Sequence, residues 1–292
     1  MNRLRAFVRD IKPEHTLFAL PFAYAGALLA QGGIPSLRTL AWITLAVLGA
    51  RTAAMAANRL LDARIDARNP RTAARPLATG ELRPATMIWA TVIGVALLTL
   101  AAWQLNPLCL SLVPLGALAL VAYPLVKRFS WGVHFLLGAV DALAPLGAWL
   151  AVTGRFEWQA LILFLAVTLW VAGFDILYAL MDYDFDVREG IRSIPARFGT
   201  HTGRRLPLVL HGIMLVLLAW LGFAVHAHPL YWFGLAAGIV LVGYEVFLID
   251  RRSGDVFALN AAVFNANMTF SVIFLVTTLA SLVLAQLPPG SS

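Results

Sequence analysis

The chain has 292 residues, 60% of them hydrophobic and only 13% charged, with a mean hydropathy of +0.80. A soluble globular domain is about a quarter charged, so that class is excluded and much of this surface must face lipid. The net charge of +7 would also suit a nucleic-acid binder, but the cations are sorted by position along the chain, which excludes nucleic acid and leaves the lipid bilayer as the partner.

Apolar runs of about 20 residues, long enough to cross a bilayer, recur throughout. They predict nine transmembrane helices, over roughly 15–31, 37–66, 84–104, 107–126, 131–152, 157–186, 204–226, 229–249 and 256–286. The stretch Met1 to Glu14 is polar and runs into a span that is followed by others, so no cleaved signal peptide is expected. Gly32-Gly33 ends the first span, and Ser36 is placed to cap the second. Asn106-Pro107 and His228-Pro229 put proline in a first helical turn, where its missing N–H costs nothing. Ser130 and Asp255 are further N-cap candidates. The single cysteine, Cys109, lies in an apolar run and excludes an intrachain disulfide.

All but three of the 22 lysines and arginines fall in the N-terminal segment and in alternate loops with the span ends that flank them. The exceptions are Arg38 and Arg155 on the opposite face and Arg51 within a span. Positive charge marks the inside. The N-terminus and the two long loops, 67–83 and 187–203, are therefore expected in the cytoplasm, with the C-terminus opposite. This predicts an all-α, multi-pass protein of the bacterial inner (cytoplasmic) membrane, with residues 1–292 forming a single domain.

Two spans end in acids at helical spacing. Arg51, Asn58, Asp62 and Asp66 form a broad stripe that drifts around its helix; Asp175, Tyr178, Asp182 and Asp186 form a tighter one. Asp184 falls on the other face and reads as a solvated interfacial charge. Each stripe runs into a proline-containing basic loop, a weak internal repeat spaced 120 residues apart (Asp62 to Asp182). Carboxylates are costly near a bilayer and mark functional sites. Two such clusters face to face could hold Mg²⁺, which favours one or two carboxylates plus waters and substrate phosphates. Arg71 and Arg75 follow Asp66 closely, and guanidinium forks match phosphate oxygens. Lys127 closes the fourth span and could act beside them, or all three could be ordinary inside charge. His and Cys show no zinc spacing.

Arg51 lies seven residues before Asn58, about 10 Å deeper at about 1.5 Å per residue. An arginine at such depth costs roughly 2.5–3.5 kcal/mol, so it must meet either an intramembrane acid or a substrate anion. Asp141 is a candidate on both accounts, as the partner of Arg51 or as a polar contact to a substrate. Glu245 and Asn265 read as structural hydrogen-bonding groups.

At these motifs the chain resembles the UbiA superfamily of intramembrane aromatic prenyltransferases. The matching residues run Asn58-x3-Asp62-x3-Asp66-x2-Asn69-x-Arg71-Thr72-x2-Arg75-Pro76-Leu77 and Asp175-x2-Tyr178-x3-Asp182-x3-Asp186-x3-Gly190-x2-Ser193-x-Pro195, with Lys12-Pro13 ahead of the first span and Lys127 after the fourth. One departure is Arg59, where many relatives carry an acid. The resemblance implies nine helices around a central cavity, with two Mg²⁺ ions bridging a polyprenyl diphosphate. Asn58, Asp62, Asp66, Asp182 and Asp186 would form the metal cluster, and Arg71, Arg75 and Lys127 would hold phosphate oxygens. Asp175 and Tyr178 would line the reacting centre, and Arg51 would bind the carboxylate of an aromatic acid acceptor. The implied acceptor is 4-hydroxybenzoate, as in ubiquinone synthesis, or a dihydroxynaphthoate of the futalosine route to menaquinone. An ion-coupled transporter is the alternative of another class; it predicts acids at the midplane on broken helices.

Overall fold

The computed structural model describes residues 3–11, 14–251 and 255–285, and Lys12-Pro13 lies outside them. Its elements, in chain order, are α1 (Arg3–Ile11), α2 (Glu14–Gln31), α3 (Leu37–Asp66), α4 (Pro84–Leu105), α5 (Pro107–Ala122), α6 (Val133–Thr153), α7 (Trp158–Ala179), α8 (Tyr183–Glu189), α9 (Ile194–Ala224), α10 (Pro229–Arg251) and α11 (Val256–Ala285). A 3₁₀ helix at Tyr123–Arg128 follows α5, and a 3₁₀ turn at Leu180–Asp182 joins α7 to α8. No strand occurs among the described residues. Among the described residues, eight helical segments are long and apolar enough to cross a membrane. The expected first span is α2, whose 18 residues would reach about 27 Å at about 1.5 Å per residue.

Side-chain caps fix several boundaries. Ser36 Oγ accepts the Thr39 N–H at 3.1 Å, and Asn106 Oδ1 accepts that of Cys109 at 2.9 Å. Asp255 Oδ1 accepts the N–H of Ala258 at 2.9 Å. Ser130 behaves differently from expectation. Its hydroxyl accepts the N–H of Gly132 at 3.1 Å, and Gly132 takes the N-cap position of α6, so the span starts at Val133. The expected span 107–126 loses α-helical form after Ala122 because Pro124 has no N–H and its ring clashes one turn back. The span expected over 157–186 is interrupted at Leu180–Asp182, and the one expected from 204 begins at Ile194 and kinks at Gly199, whose φ of 87° favours glycine.

Packing is by close approach of small residues, the usual device where lipid is as apolar as the partner helix. α3 meets α4 at Gly49 and Gly94: a Cβ on either would lie 2.6 Å from the other's carbonyl oxygen. α2 lies between α6 and α11, α7 between α6 and α9, and α10 against α9 and α11. Phe22, Trp170, Phe270 and Phe274 form an aromatic knot at the centre of α2, α7 and α11, with Phe22 stacked on Phe274 at 5.2 Å. The outer face is greasy, with Trp89, Leu115, Phe223, Phe233 and Val240 exposed.

A buried polar network links α7, α9, α10 and α11. His211 Nδ1 lies 2.6 Å from Glu245 Oε2, Asn267 donates to Glu245 Oε1 at 2.8 Å, and Trp170 Nε1 donates to Asn267 Oδ1 at 2.5 Å. Glu245 is thus a structural group, as expected. Asn265 is not: it is exposed, and Asn267, one-half turn on, occupies the interior.

Candidate active site

The two acidic stripes face one cleft. α3 supplies Arg51, Asn58, Asp62 and Asp66, while α7, the 3₁₀ turn and α8 supply Asp175, Tyr178, Asp182 and Asp186. The bend at Leu180–Asp182 replaces the straight stripe expected there, yet all four residues still reach the cleft. The 67–83 loop brings Arg71 and Arg75, the 3₁₀ helix brings Lys127, and α6 brings Asp141. Together they line one cleft. Asp184 is exposed outside it.

Each acid meets a donor. Lys127 Nζ lies 2.5 Å from Asp62 Oδ2, and Arg75 Nη1 lies 2.6 Å from Asp66 Oδ2. Arg71 forks onto Asp182, with Nε 2.7 Å from Oδ1 and Nη2 on Oδ2. Burial alone would lower the pKa of Arg71, but its hydrogen bonds to Asp182 raise it above the ordinary value, so it stays charged. Asp186 Oδ2 accepts the hydroxyl of Ser193 at 2.9 Å. Ser193 is also the N-cap of α9. Asn69 stitches the halves together: its amide donates to Asp182 Oδ1 at 2.8 Å and its carbonyl accepts the Arg71 N–H at 2.9 Å.

Among the described residues, no group of three or more His, Cys, Asp or Glu side chains forms a ready-made metal cage. The donor set still suits a hard cation: it offers only oxygen ligands, and Asp62 Oδ1 is buried with no hydrogen-bond partner. Asn58 gives its N–H to Tyr123 at 2.8 Å, so its carbonyl oxygen is the atom that could face a cation.

At the deep end, Arg51 Nη1 lies 2.6 Å from Asp141 Oδ1, so the intramembrane arginine has the acid partner that its depth requires. Its Nε is buried and has no hydrogen-bond partner. Arg51 and Asp141 also line a second, apolar pocket between α3, α5 and α6, walled by residues such as Ala46, Leu112, Val113 and Gly147.

The cleft also holds residues to which sequence reasoning gave no role. Tyr123 and Phe174 line it, as does His134, which bonds to Asp175. A single histidine at the start of an apolar span carries no pattern that would single it out. Arg59 lines the cleft too, held from behind by α1: its Nε donates to the Asp10 carbonyl at 2.9 Å and lies 3.3 Å from Asp10 Oδ1. Burial pushes the Asp10 carboxyl above its ordinary pKa, with Arg59 opposing the shift.

The acids of a carrier would lie at the midplane; here most gather at one end of the helices. A model of the UbiA prenyltransferase family matches residues 19–268. A protein of Pseudoalteromonas translucida named 4-hydroxybenzoate octaprenyltransferase is 33% identical over 251 residues, 85% of each chain. The solved apo structure of a UbiA homolog from Aeropyrum pernix K1 superposes with a TM-score of 0.78 at 30% identity, covering 94% of this chain and 98% of the other. A UbiA homolog from Archaeoglobus fulgidus, solved with GPP and Mg²⁺, shares the fold at a TM-score of 0.72 and 18% identity, covering 95% of this chain and 99% of the other. On this agreement in sequence and fold, the chain is an integral multi-pass membrane protein that belongs to the UbiA prenyltransferase family.

Proposed function

We propose that the protein transfers a polyprenyl group from a polyprenyl diphosphate to a ring carbon of 4-hydroxybenzoate, as in ubiquinone synthesis. It would act in the inner membrane, with its N-terminus and the cleft on the cytoplasmic side and its C-terminus opposite. One observation carries this reading: two carboxylate stripes and the three cations Arg71, Arg75 and Lys127 share a single cleft, which meets an apolar pocket at Arg51 and Asp141. The name of the 33% identical relative supports the acceptor.

Arg71, Arg75 and Lys127 bind the diphosphate oxygens by charge-assisted bonds. Asn58, Asp62, Asp66, Asp182 and Asp186 would hold Mg²⁺, two ions on this reading, and the metal when bound would neutralise charge on the leaving diphosphate. The apolar pocket takes the prenyl tail, and Phe174 and Phe264 at the cleft keep water from the allylic carbon. Arg51, through its unpaired Nε, anchors the acceptor carboxylate. The ring carbon ortho to the phenol then attacks the prenyl carbon beside Tyr178, and Asp175 receives the ring proton.

The test is purified protein in vesicles with Mg²⁺ and a polyprenyl diphosphate, offered 4-hydroxybenzoate or dihydroxynaphthoate, with product mass read out. Prenylated hydroxybenzoate is expected. Product from dihydroxynaphthoate alone would move the acceptor to the menaquinone route, and no product from either would sink prenyl transfer to an aromatic acid.

A further inference from the structure

His134 lies in the first turn of α6 with its ring buried. Its Nδ1 is 2.6 Å from Asp175 Oδ2, on α7. Its Nε2 receives the backbone N–H of Ile194, the first residue of α9, at 3.2 Å. A backbone N–H can only donate, so Nε2 must present its lone pair. The neutral ring then carries its hydrogen on Nδ1, directed at the carboxylate. The fold thus selects one tautomer, by a bond from an element that belongs to neither acidic helix. Asp175 lines the cleft with its side chain 25% exposed, and His134 makes the one hydrogen bond to that carboxylate recorded among the described residues. One oxygen is held from behind; the other remains for the cleft.

We propose that His134 is a positioning residue that fixes the Asp175 carboxylate so that its free oxygen collects the proton displaced from the acceptor ring. This rests on the prenyl-transfer reading above. In that step the prenyl C–O bond breaks and its electron pair leaves with the diphosphate. A ring carbon–prenyl bond forms from the ring's π electrons. The ring C–H bond then breaks, its electrons restore aromaticity, and the proton passes to Asp175 Oδ1 and on to water. His134 neither gains nor loses a proton; it donates one hydrogen bond throughout.

Two substitutions separate this role from a purely structural one. His134→Asn keeps an amide donor near the Nδ1 position but loses the acceptor for Ile194. His134→Gln places its amide near Nε2, keeping an acceptor for Ile194 and losing the donor to Asp175. Both would be assayed as full-length protein in vesicles with ring-deuterated and ordinary 4-hydroxybenzoate. His134→Gln should lower kcat by about 10²-fold, the lower end of what a positioned general base supplies. It should leave the KM for prenyl diphosphate unchanged and bring out a primary deuterium isotope effect that the wild type lacks. His134→Asn should retain most of the turnover and show no such effect. Loss in His134→Asn with retention in His134→Gln would assign the ring to α9 alone and overturn the proposal. Equal loss in both without an isotope effect, or no loss in either, would overturn it too. A wild-type protein that prenylates no aromatic acid would instead overturn the transfer reading itself.

Discussion

Arg51 and Asp141 neutralise each other at a depth where neither could stand alone, their closest atoms 2.6 Å apart and each side chain 13% exposed. The pair satisfies one guanidinium nitrogen and leaves Nε, buried, without a partner. A donor left in that state at the end of a ligand cleft is matched to an acceptor that arrives with the substrate. Arg51→Ala should therefore raise the acceptor KM by about ten- to a hundred-fold, from a charge-assisted bond worth roughly 1.5–3 kcal/mol, and leave the KM for prenyl diphosphate nearly unchanged. If the residue serves only Asp141, the variant will instead melt earlier with an unchanged acceptor KM, and Asp141→Asn will restore its stability. Asp62→Ala tests the other end. Asp62 is 2% exposed and offers an unpartnered oxygen, so its loss, like that of Asp182, should cut turnover by about 10²-fold or more. Circular dichroism should still show an inserted helical protein; near-normal rates in both variants would make the acids structural. Every acid and cation singled out from spacing reaches the cleft, because charge in an apolar chain is costly and so is rarely accidental. His134 and the bridging role of Asn69 escaped notice because a single buried histidine or asparagine has no period to betray it.

Helices carry the same lesson at the next scale. Composition and caps placed most of the spans: Ser36 and Asp255 accept an N–H as their cap positions require, Asn106 does so without having been singled out as a cap, and Ser130 yields the N-cap of α6 to Gly132. The break after α5 had a cause in view, Pro124. The break at Leu180–Asp182 had none: no proline or glycine marks it, and it appears where α7 must turn to bring Asp182 to Arg71 and Asn69 on the other half. Tertiary partners decided that bend, and no local pattern reports them. Small residues were equally silent about their role. At Gly49 and Gly94 the backbones of α3 and α4 approach so closely that an added Cβ would sit 2.6 Å from a carbonyl oxygen. Gly49→Ala and Gly94→Ala should each lower the melting temperature in detergent. Alanine otherwise favours a helix over glycine by roughly 0.5–1 kcal/mol, so the control Gly243→Ala, which meets nothing within 4 Å, should be neutral or stabilising. Equal behaviour of the three variants would remove the close approach as a constraint on α3 and α4.

At the scale of the whole molecule, polar contacts bridge the two acid-bearing halves around the cleft. Arg71 and Asn69 of the first half hold Asp182 of the second; Arg68 reaches Glu189 at 2.8 Å, and the N–H of Arg192 reaches the Lys127 carbonyl at the same distance. Lys127, Arg75 and Arg71 pair with Asp62, Asp66 and Asp182. A metal ion entering alone would strand those cations beside a new positive charge. A diphosphate entering alone would meet four carboxylates. When both arrive, the acids can turn to the metal and the released cations to the phosphate oxygens, so the two ligands should bind with positive coupling that is reciprocal by linkage. Mg²⁺ alone and pyrophosphate alone should each shift the melting temperature of the detergent-solubilised protein little. Together, at about a hundredfold over the dissociation constant, they should stabilise it by about 2.7 kcal/mol. EDTA should reverse that joint shift and abolish transfer without unfolding the protein, since the internal ion pairs reform. A full shift from either ligand alone would show that the cleft binds them independently, and undiminished transfer in EDTA would show that the carboxylates serve the diphosphate without a metal.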